Sequence, residues 1–348
     1  IDYSTAPGNG TASEKERAVA IPLQMAVSSD GENLFMASMG SSKLVRYDTG
    51  ALENDSFQPN TNDQLVVSGG GATGVVLDET RGRAFVTTRF DNGVSVVDIE
   101  GPMSELAHVT MDNPEPQKVV EGRRFLYDAT YTSSRGDSSC AGCHVFGDMD
   151  HLSWDLGNPD IASEDNPNEY NENVPAFGRN LTFHAMKGPM ATQSLRGLKG
   201  NGPMHWRGDR TGEDRAPGES LEMAAFKEFN EAFPGLVGRS SELTEAEMTS
   251  FAEFALELTY PPNPVAALDN SLSPRLQEAL EVYNTINSDF VTNCNGCHVL
   301  DADQGMFGTD GTMSVEGGDV DEDMKIPHLR NMYQKVGMFA KNGADRPE

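Results

Sequence analysis

Ala26-Val-Ser-Ser-Asp-Gly-Glu-Asn-Leu-Phe-Met-Ala37, then Lys43-Leu-Val-Arg-Tyr-Asp48, is echoed by Gly74-Val-Val-Leu-Asp-Glu-Thr-Arg-Gly-Arg-Ala-Phe-Val86, then Val94-Ser-Val-Val-Asp98. Each half holds short apolar and β-branched runs broken by turn residues, which is the pattern of strands rather than helices. Self-similarity at a spacing of about 50 residues is the period of one propeller blade. The strands expected are Leu34–Ser38, Leu44–Tyr47, Gly74–Leu77, Ala84–Thr88 and Val94–Val97. Two blades fall short of the roughly 4–8 that close a propeller. The reading therefore expects open sheet edges, continued by a longer polypeptide or covered by a partner.

The chain has 348 residues, 37% of them apolar and 23% charged. That length accommodates about two or three domains. No stretch approaches the roughly 20 apolar residues of a membrane span. Fifty-four acids against 26 bases give a net charge of −28, spread along the chain. Such a field repels phosphate backbones and anionic lipid, so nucleic acid is not an expected partner. A basic redox partner, or a salty habitat, would suit the same surface.

All four cysteines fall in two pentads, Cys140-Ala-Gly-Cys143-His144 and Cys294-Asn-Gly-Cys297-His298. C-x-x-C-H is the attachment signature of c-type haem: two thiols add to the vinyl groups of one porphyrin and the adjacent imidazole ligates iron. Two pentads with no cysteine left over imply two covalent haems, with His144 and His298 as proximal ligands. The second ring nitrogen of each should donate to a backbone carbonyl, fixing the tautomer. A thioredoxin-type pair needs a βαβ context and no following His, and a four-cysteine zinc site favours closer pairs. Haem attachment of this kind takes place outside the cytoplasm, so the mature chain is expected in the periplasm or beyond the cell. A cleaved signal peptide would account for an N-terminus at Ile1 without Met.

Pro114 and Pro116 mark a change of pattern, after which helices dominate. Gln117–Ala129 precedes the first pentad, with Val120, Phe125 and Tyr127 near one face, and Ser273–Asn284 precedes the second. Between them lie Glu219–Phe233 and a helix opening at Thr244, whose Glu247 three residues on completes a capping box. Its stripe of Met248, Phe251, Phe254, Ala255 and Leu258 has core-facing spacing. Each pentad is followed by a Leu-Arg motif, Ser194-Leu-Arg-Gly197 and His328-Leu-Arg-Asn331. The expected architecture is an incomplete set of propeller-like blades over residues 1–115, followed by two mainly α-helical cytochrome c-type domains over 116–265 and 266–348.

The echo in the first 100 residues resembles the YVTN β-propeller repeats. From about residue 117 onward, the paired pentads and Leu-Arg motifs resemble the bacterial di-haem cytochrome c peroxidase superfamily, which includes the MauG-type enzymes. The most specific match is His184-Ala-Met-Lys-Gly-Pro189, Ser194-Leu-Arg196 and His205-Trp-Arg-Gly-Asp-Arg210. The resemblance implies that His184 is the sixth ligand of the first haem and that Trp206 relays electrons between haems. The family's peroxidatic acid stands in N-P-x-E-M after the Trp; here Phe229-Asn-Glu-Ala-Phe233 offers Glu231 instead. The family's second motif is followed by H-D-G and a ligating Met, whereas this sequence stops at Glu348 after Met338-Phe-Ala-Lys-Asn-Gly343, as if that domain were truncated.

Behind His184 as sixth ligand of the first haem stand Met204, His205 and His151. For the second haem Met338 leads, with Met332 and His328 behind it. A His/Met pair raises the potential and suits electron transfer, whereas an open site admits peroxide or another small ligand. Arg196, Arg207, Arg210 and Arg330 offer forks for haem propionates, with surface ion pairs as the alternative. Asp148, Asp150, Asp155, Asn158 and Asp160 offer oxygen ligands to Ca²⁺, with a solvated acidic loop as the alternative. No Ser-His-Asp, phosphate-loop or zinc-protease motif is legible. The leading expectation is electron transfer by a di-haem cytochrome. The alternatives are a peroxidase or MauG-like oxidase using Glu231 for proton transfer, and a structural or binding component of a redox assembly.

Overall fold

The structure, a computed structural model, describes residues 14–154, 164–165, 182–183, 190–206, 210–264, 266–269, 271–287, 292–311, 313–315 and 323–335. The chain divides into two compact units: Ile1–Phe146 with Phe229–Phe254, and Gly147–Glu228 with Ala255–Glu348. Among the described residues no helix is long and apolar enough to cross a membrane.

In the first unit, β1 (Pro22–Val27), β2 (Asn33–Ser38), β3 (Lys43–Asp48) and β4 (Gln64–Val66) form an antiparallel meander in that order. A second meander follows, β5 (Ala72–Asp78), β6 (Arg83–Thr88), β7 (Gly93–Asp98) and β8 (Ser104–Thr110). Each four-stranded sheet has the form of one propeller blade. All five expected strands are present. Alternation decides their faces: along β6 every second residue is buried, and Phe35, Ala37, Leu44, Val75, Ala84, Val86 and Val97 form one core between the blades. β1 and β8 escaped the sequence reading because they are the outer strands and mostly exposed, Met25 and Val109 each at 58%. Without a buried face they show no period-two pattern.

The helix Gln117–Tyr127 leads from the second blade toward the first pentad and buries Phe125, Leu126 and Tyr127. Its seat is ionic. Glu115 accepts both guanidinium nitrogens of Arg89, at 2.8 and 2.9 Å, and also Arg123 Nη2 at 2.5 Å. Arg123 is 3% exposed. The helix Glu245–Leu256 packs here too, with Phe251 6.2 Å from the rings of both Phe125 and Phe233. Its capping box forms as expected: the Thr244 amide donates to Glu247 Oε2 at 2.9 Å and the Glu247 amide to Thr244 Oγ1 at 3.4 Å. Met248, Phe251, Phe254 and Ala255 are buried.

The expected Glu219–Phe233 helix is broken into Leu221–Lys227, a 3-10 turn over Glu228–Glu231 and a short turn over Ala232–Gly235. The first unit holds the cause of the interruption. Asn230 exchanges two bonds of 2.9 Å with the backbone of Leu243, so its side chain serves a neighbouring loop.

In the second unit the helix Pro274–Thr285 is capped by Ser273, with Pro274 in its first turn, where a missing N–H costs nothing. None of its residues is buried.

Candidate haem-attachment sites

Both pentads close a single helical turn. Cys140–Gly142 is a 3-10 turn, and the His144 amide donates to the Cys140 carbonyl at 2.8 Å. Cys294–Cys297 is an α-turn capped by Asn293, and the His298 amide donates to the Cys294 carbonyl at 2.8 Å. Neither pair is a disulfide. Attachment to one porphyrin edge requires two sulfurs and an imidazole close together along the chain, and a single turn keeps them so. Burial pushes the Cys140 thiol up to about 11.

His298 is held by its Nδ1 nitrogen. Its Nδ1 donates to the carbonyls of Gly308, at 2.9 Å, and Pro327, at 3.1 Å. Two acceptors facing one nitrogen fix the proton there, which leaves Nε2 with its lone pair, the form in which an imidazole can ligate a metal. The Tyr283 hydroxyl donates to the His298 carbonyl, joining the pentad to the preceding helix. Leu276, Leu280 and Tyr283 share one face of that helix. Leu276 is 51% exposed and Leu280 37%, and Ile286 and Leu300 nearby are exposed too. An apolar surface beside a ligand-ready imidazole fits a flat hydrophobic macrocycle. At the first pentad, exposed Val145 and Phe146 follow His144.

His328 has the opposite tautomer. The Arg330 amide donates to its Nδ1 at 3.2 Å, so the proton belongs on Nε2, and the residue is not presented as an iron ligand. Its ring meets Tyr260 edge-on at 5.8 Å. Burial, then Lys335, Lys325 and Arg330, push its pKa down to about 3.

Tyr260 was not singled out in the sequence, yet both Leu-Arg motifs converge on it. The Gly197 amide donates to Leu258 O at 2.7 Å. A side chain on Gly197 (φ +68) would lie 2.7 Å from Tyr260 Cε2 and 3.0 Å from Arg330 Nη1. Arg196 pairs with Asp148 at 2.9 Å, and Arg330 lies 4.0 Å over the Phe307 ring. Only the spatial convergence of three distant segments reveals this cluster.

Trp206 is tied into the second unit. Its Nε1 donates to the Ala191 carbonyl at 2.7 Å, and its own carbonyl accepts the Lys325 amide at 3.0 Å. Lys325 lies two residues before Pro327, so the Trp206 backbone and His298 are braced by the same segment. Met204 is buried at 4%, with its amide on Arg210 O at 2.9 Å. His205 has a left-handed backbone, φ 70. His151 and Met332 are exposed, and so is Glu231, at the end of its 3-10 turn in the first unit. His184, Met338 and Arg207 lie outside the described residues, as do Asp155, Asn158 and Asp160. Of the remaining acids proposed for Ca²⁺, Asp148 is paired with Arg196, and Asp150 accepts from Trp154 Nε1 at 2.7 Å. Among the described residues no group of three or more His, Cys, Asp and Glu is arranged to hold a metal ion.

A Ser-His-Asp array does occur, where no motif was legible. Ser95 Oγ lies 2.9 Å from His108 Nδ1, and His108 Nε2 lies 2.5 Å from Asp91 Oδ2. Ser95 has no exposed surface. It cannot reach a substrate, so the array fastens β8 onto the second blade.

No protein-family model matches the chain, and no curated protein matches it in sequence. Solved structures do. A hydrazine synthase of Kuenenia stuttgartiensis is similar over 64% of this chain and 74% of its own, at 18% identity and a TM-score of 0.43. The periplasmic gluconolactonase PpgL of Pseudomonas aeruginosa is similar over 28% of each chain, at 21% identity and a TM-score of 0.24.

Proposed function

We propose that this chain is an extracytoplasmic di-haem c-type cytochrome that transfers electrons, built on the plan of the di-haem peroxidase superfamily and joined to propeller-like blades. The observation that carries the reading is the His298 site: two carbonyls hold the Nδ1 proton, Nε2 is free, two thiols stand one helical turn away, and an exposed apolar helix face adjoins them. The first pentad repeats the turn and the His-to-Cys backbone bond.

A haem c at each site would supply a one-electron couple. The chain's own residues do the rest. Cys140 and Cys143, and Cys294 and Cys297, fix each porphyrin edge. The carbonyls of Gly308 and Pro327 raise the donor strength of His298 by polarising its N–H. Trp206, whose carbonyl accepts the Lys325 amide, would be the relay that the family resemblance assigns to it.

Electron transfer is preferred to peroxidase chemistry because Glu231, the acid available for proton movement, is solvent-exposed at the end of its turn. Intact mass under denaturing conditions is the test. Two haem masses should remain on the chain, and one on Cys294→Ser/Cys297→Ser. A wild-type mass without haem rejects the proposal. Two haems with an exchangeable high-spin iron that reacts with peroxide would favour the enzyme instead.

A further inference from the structure

The second Leu-Arg motif, His328-Leu-Arg-Asn331, has no part in the function proposed above, yet it is fastened to the hairpin that follows the second pentad. Beyond His298 the chain runs out along Leu300–Asp301, turns through a 3-10 turn closed by Gly305, and returns along Met306–Phe307, with Leu300 opposite Phe307. The return arm leads into Gly308, which holds the pentad twice. Its amide donates to the Val299 carbonyl at 2.8 Å, and its carbonyl accepts from His298 Nδ1 at 2.9 Å. The other acceptor on that nitrogen, the Pro327 carbonyl at 3.1 Å, belongs to the residue just before the motif.

The motif joins these two acceptors. The Leu329 amide donates to the Phe307 carbonyl at 2.8 Å. A Cβ on Gly308 (φ +98) would lie 2.5 Å from Leu329 Cγ and 2.6 Å from Leu329 N, so only glycine permits both the backbone angle and the close approach. The Arg330 guanidinium lies 4.0 Å over the Phe307 ring, a cation on an aromatic face. One hydrogen bond, one packed side chain and one stacked cation thus tie residues 307–308 to residues 329–330. The carbonyls of 308 and 327, which meet at one nitrogen, are carried by the segments so tied.

We propose that Leu329 and Arg330 are positioning residues for His298: by clamping Phe307 and Gly308 they keep both carbonyls on Nδ1 and so set the donor strength of the imidazole toward the haem attached at Cys294 and Cys297. This rests on the reading of that pentad as a haem site and adds to it a role for the motif. Hydrogen bonding at the second nitrogen makes an imidazole more basic. A stronger donor favours ferric iron and lowers the potential, one of the levers by which a protein tunes haem.

The test uses the full chain shown by mass to carry both haems. Midpoint potentials are followed spectroscopically, and ferric EPR signals recorded, for wild type, Leu329→Ala, Phe307→Leu, Arg330→Gln and Arg330→Lys. Loosening the clamp should raise the potential of one haem, by about 59 mV for each tenfold loss of preference for the ferric form. It should shift that haem's EPR signal and leave the other haem unchanged. Arg330→Lys, which keeps a cation able to lie over the ring, should stay nearer wild type than Arg330→Gln. The sign separates a clamp from a plain charge effect, because removing a positive charge near the iron favours the ferric form and lowers the potential. A lower potential in Arg330→Gln, with Leu329→Ala and Phe307→Leu unchanged, overturns the proposal. Unchanged potentials and EPR signals in all the variants overturn it too, even where stability falls, since the motif would then be structural alone. Should Leu329→Ala fail to fold, Phe307→Leu decides the matter. A wild-type mass without haem on Cys294 and Cys297 rejects the pentad reading itself, and is told apart from these outcomes before any potential is measured.

Discussion

Glu115→Gln should destabilise the first unit by about 2–3 kcal/mol at neutral pH. The side chain it abandons, Arg123, is 3% exposed and among the described residues keeps its bonds to the Arg89 carbonyl and Asn92. Breaking a buried pair in this way costs roughly 3–5 kcal/mol. Glu115 is itself 28% exposed and Arg89 41%, so water screens part of the loss. The hydrogen bonds from Arg89, then those from Arg123, hold the Glu115 carboxyl down at about 2, against an ordinary 4.5. A depressed folded pKa means that its contribution is complete above the ordinary value and fades as pH falls toward 2. The gap between wild type and variant should thus be full at pH 7 and shrink on acidification. Urea unfolding followed by circular dichroism at several pH values measures it. A gap under about 0.5 kcal/mol at pH 7, or one that widens in acid, would refute the argument.

Gly122→Ala should destabilise the packing of Gln117–Tyr127 against Glu245–Leu256, because the new Cβ would lie 2.0 Å from Ser250 O and 2.5 Å from Phe254 Cβ. A gain in thermal stability, which helix propensity alone would give at about 1 kcal/mol, would contradict that packing. Met248→Ala, at a site 1% exposed, should cost about 2–5 kcal/mol in chemical denaturation; a loss below about 1 kcal/mol would show that the site collapses freely. His298→Ala should change the spin state of one haem in absorption spectra, whereas His328→Ala, given its Nε2–H tautomer, should leave both spin states as they are in the wild type.

The pentads and five of the eight blade strands were legible because their signals are local: a five-residue motif, and alternation along a strand with one buried face. The capping box at Thr244 was legible for the same reason. What stayed hidden is long-range. The acceptors that orient His298 come from positions 308 and 327. Nothing in the local sequence of Tyr260 shows that two Leu-Arg motifs meet at its ring. Ser95, His108 and Asp91 match no motif spacing, and the buried state of Lys325 depends on neighbours distant in sequence. The outer strands β1 and β8 show the converse limit, since exposure on both faces removes the period that would reveal them.

The meeting of Gly197, Tyr260 and Arg330 bears on how the second unit is made. Three stations separated by long stretches of chain must arrive together, and the closest of them tolerates nothing larger than a hydrogen atom. Until the segment around residue 330 has joined the other two, this knot cannot be tied, so the unit's packing cannot be completed one local segment at a time. Contacts of such high sequence separation slow the search for the native state, and on the proposed function that delay would leave the Cys294–His298 turn accessible before its surroundings close around it.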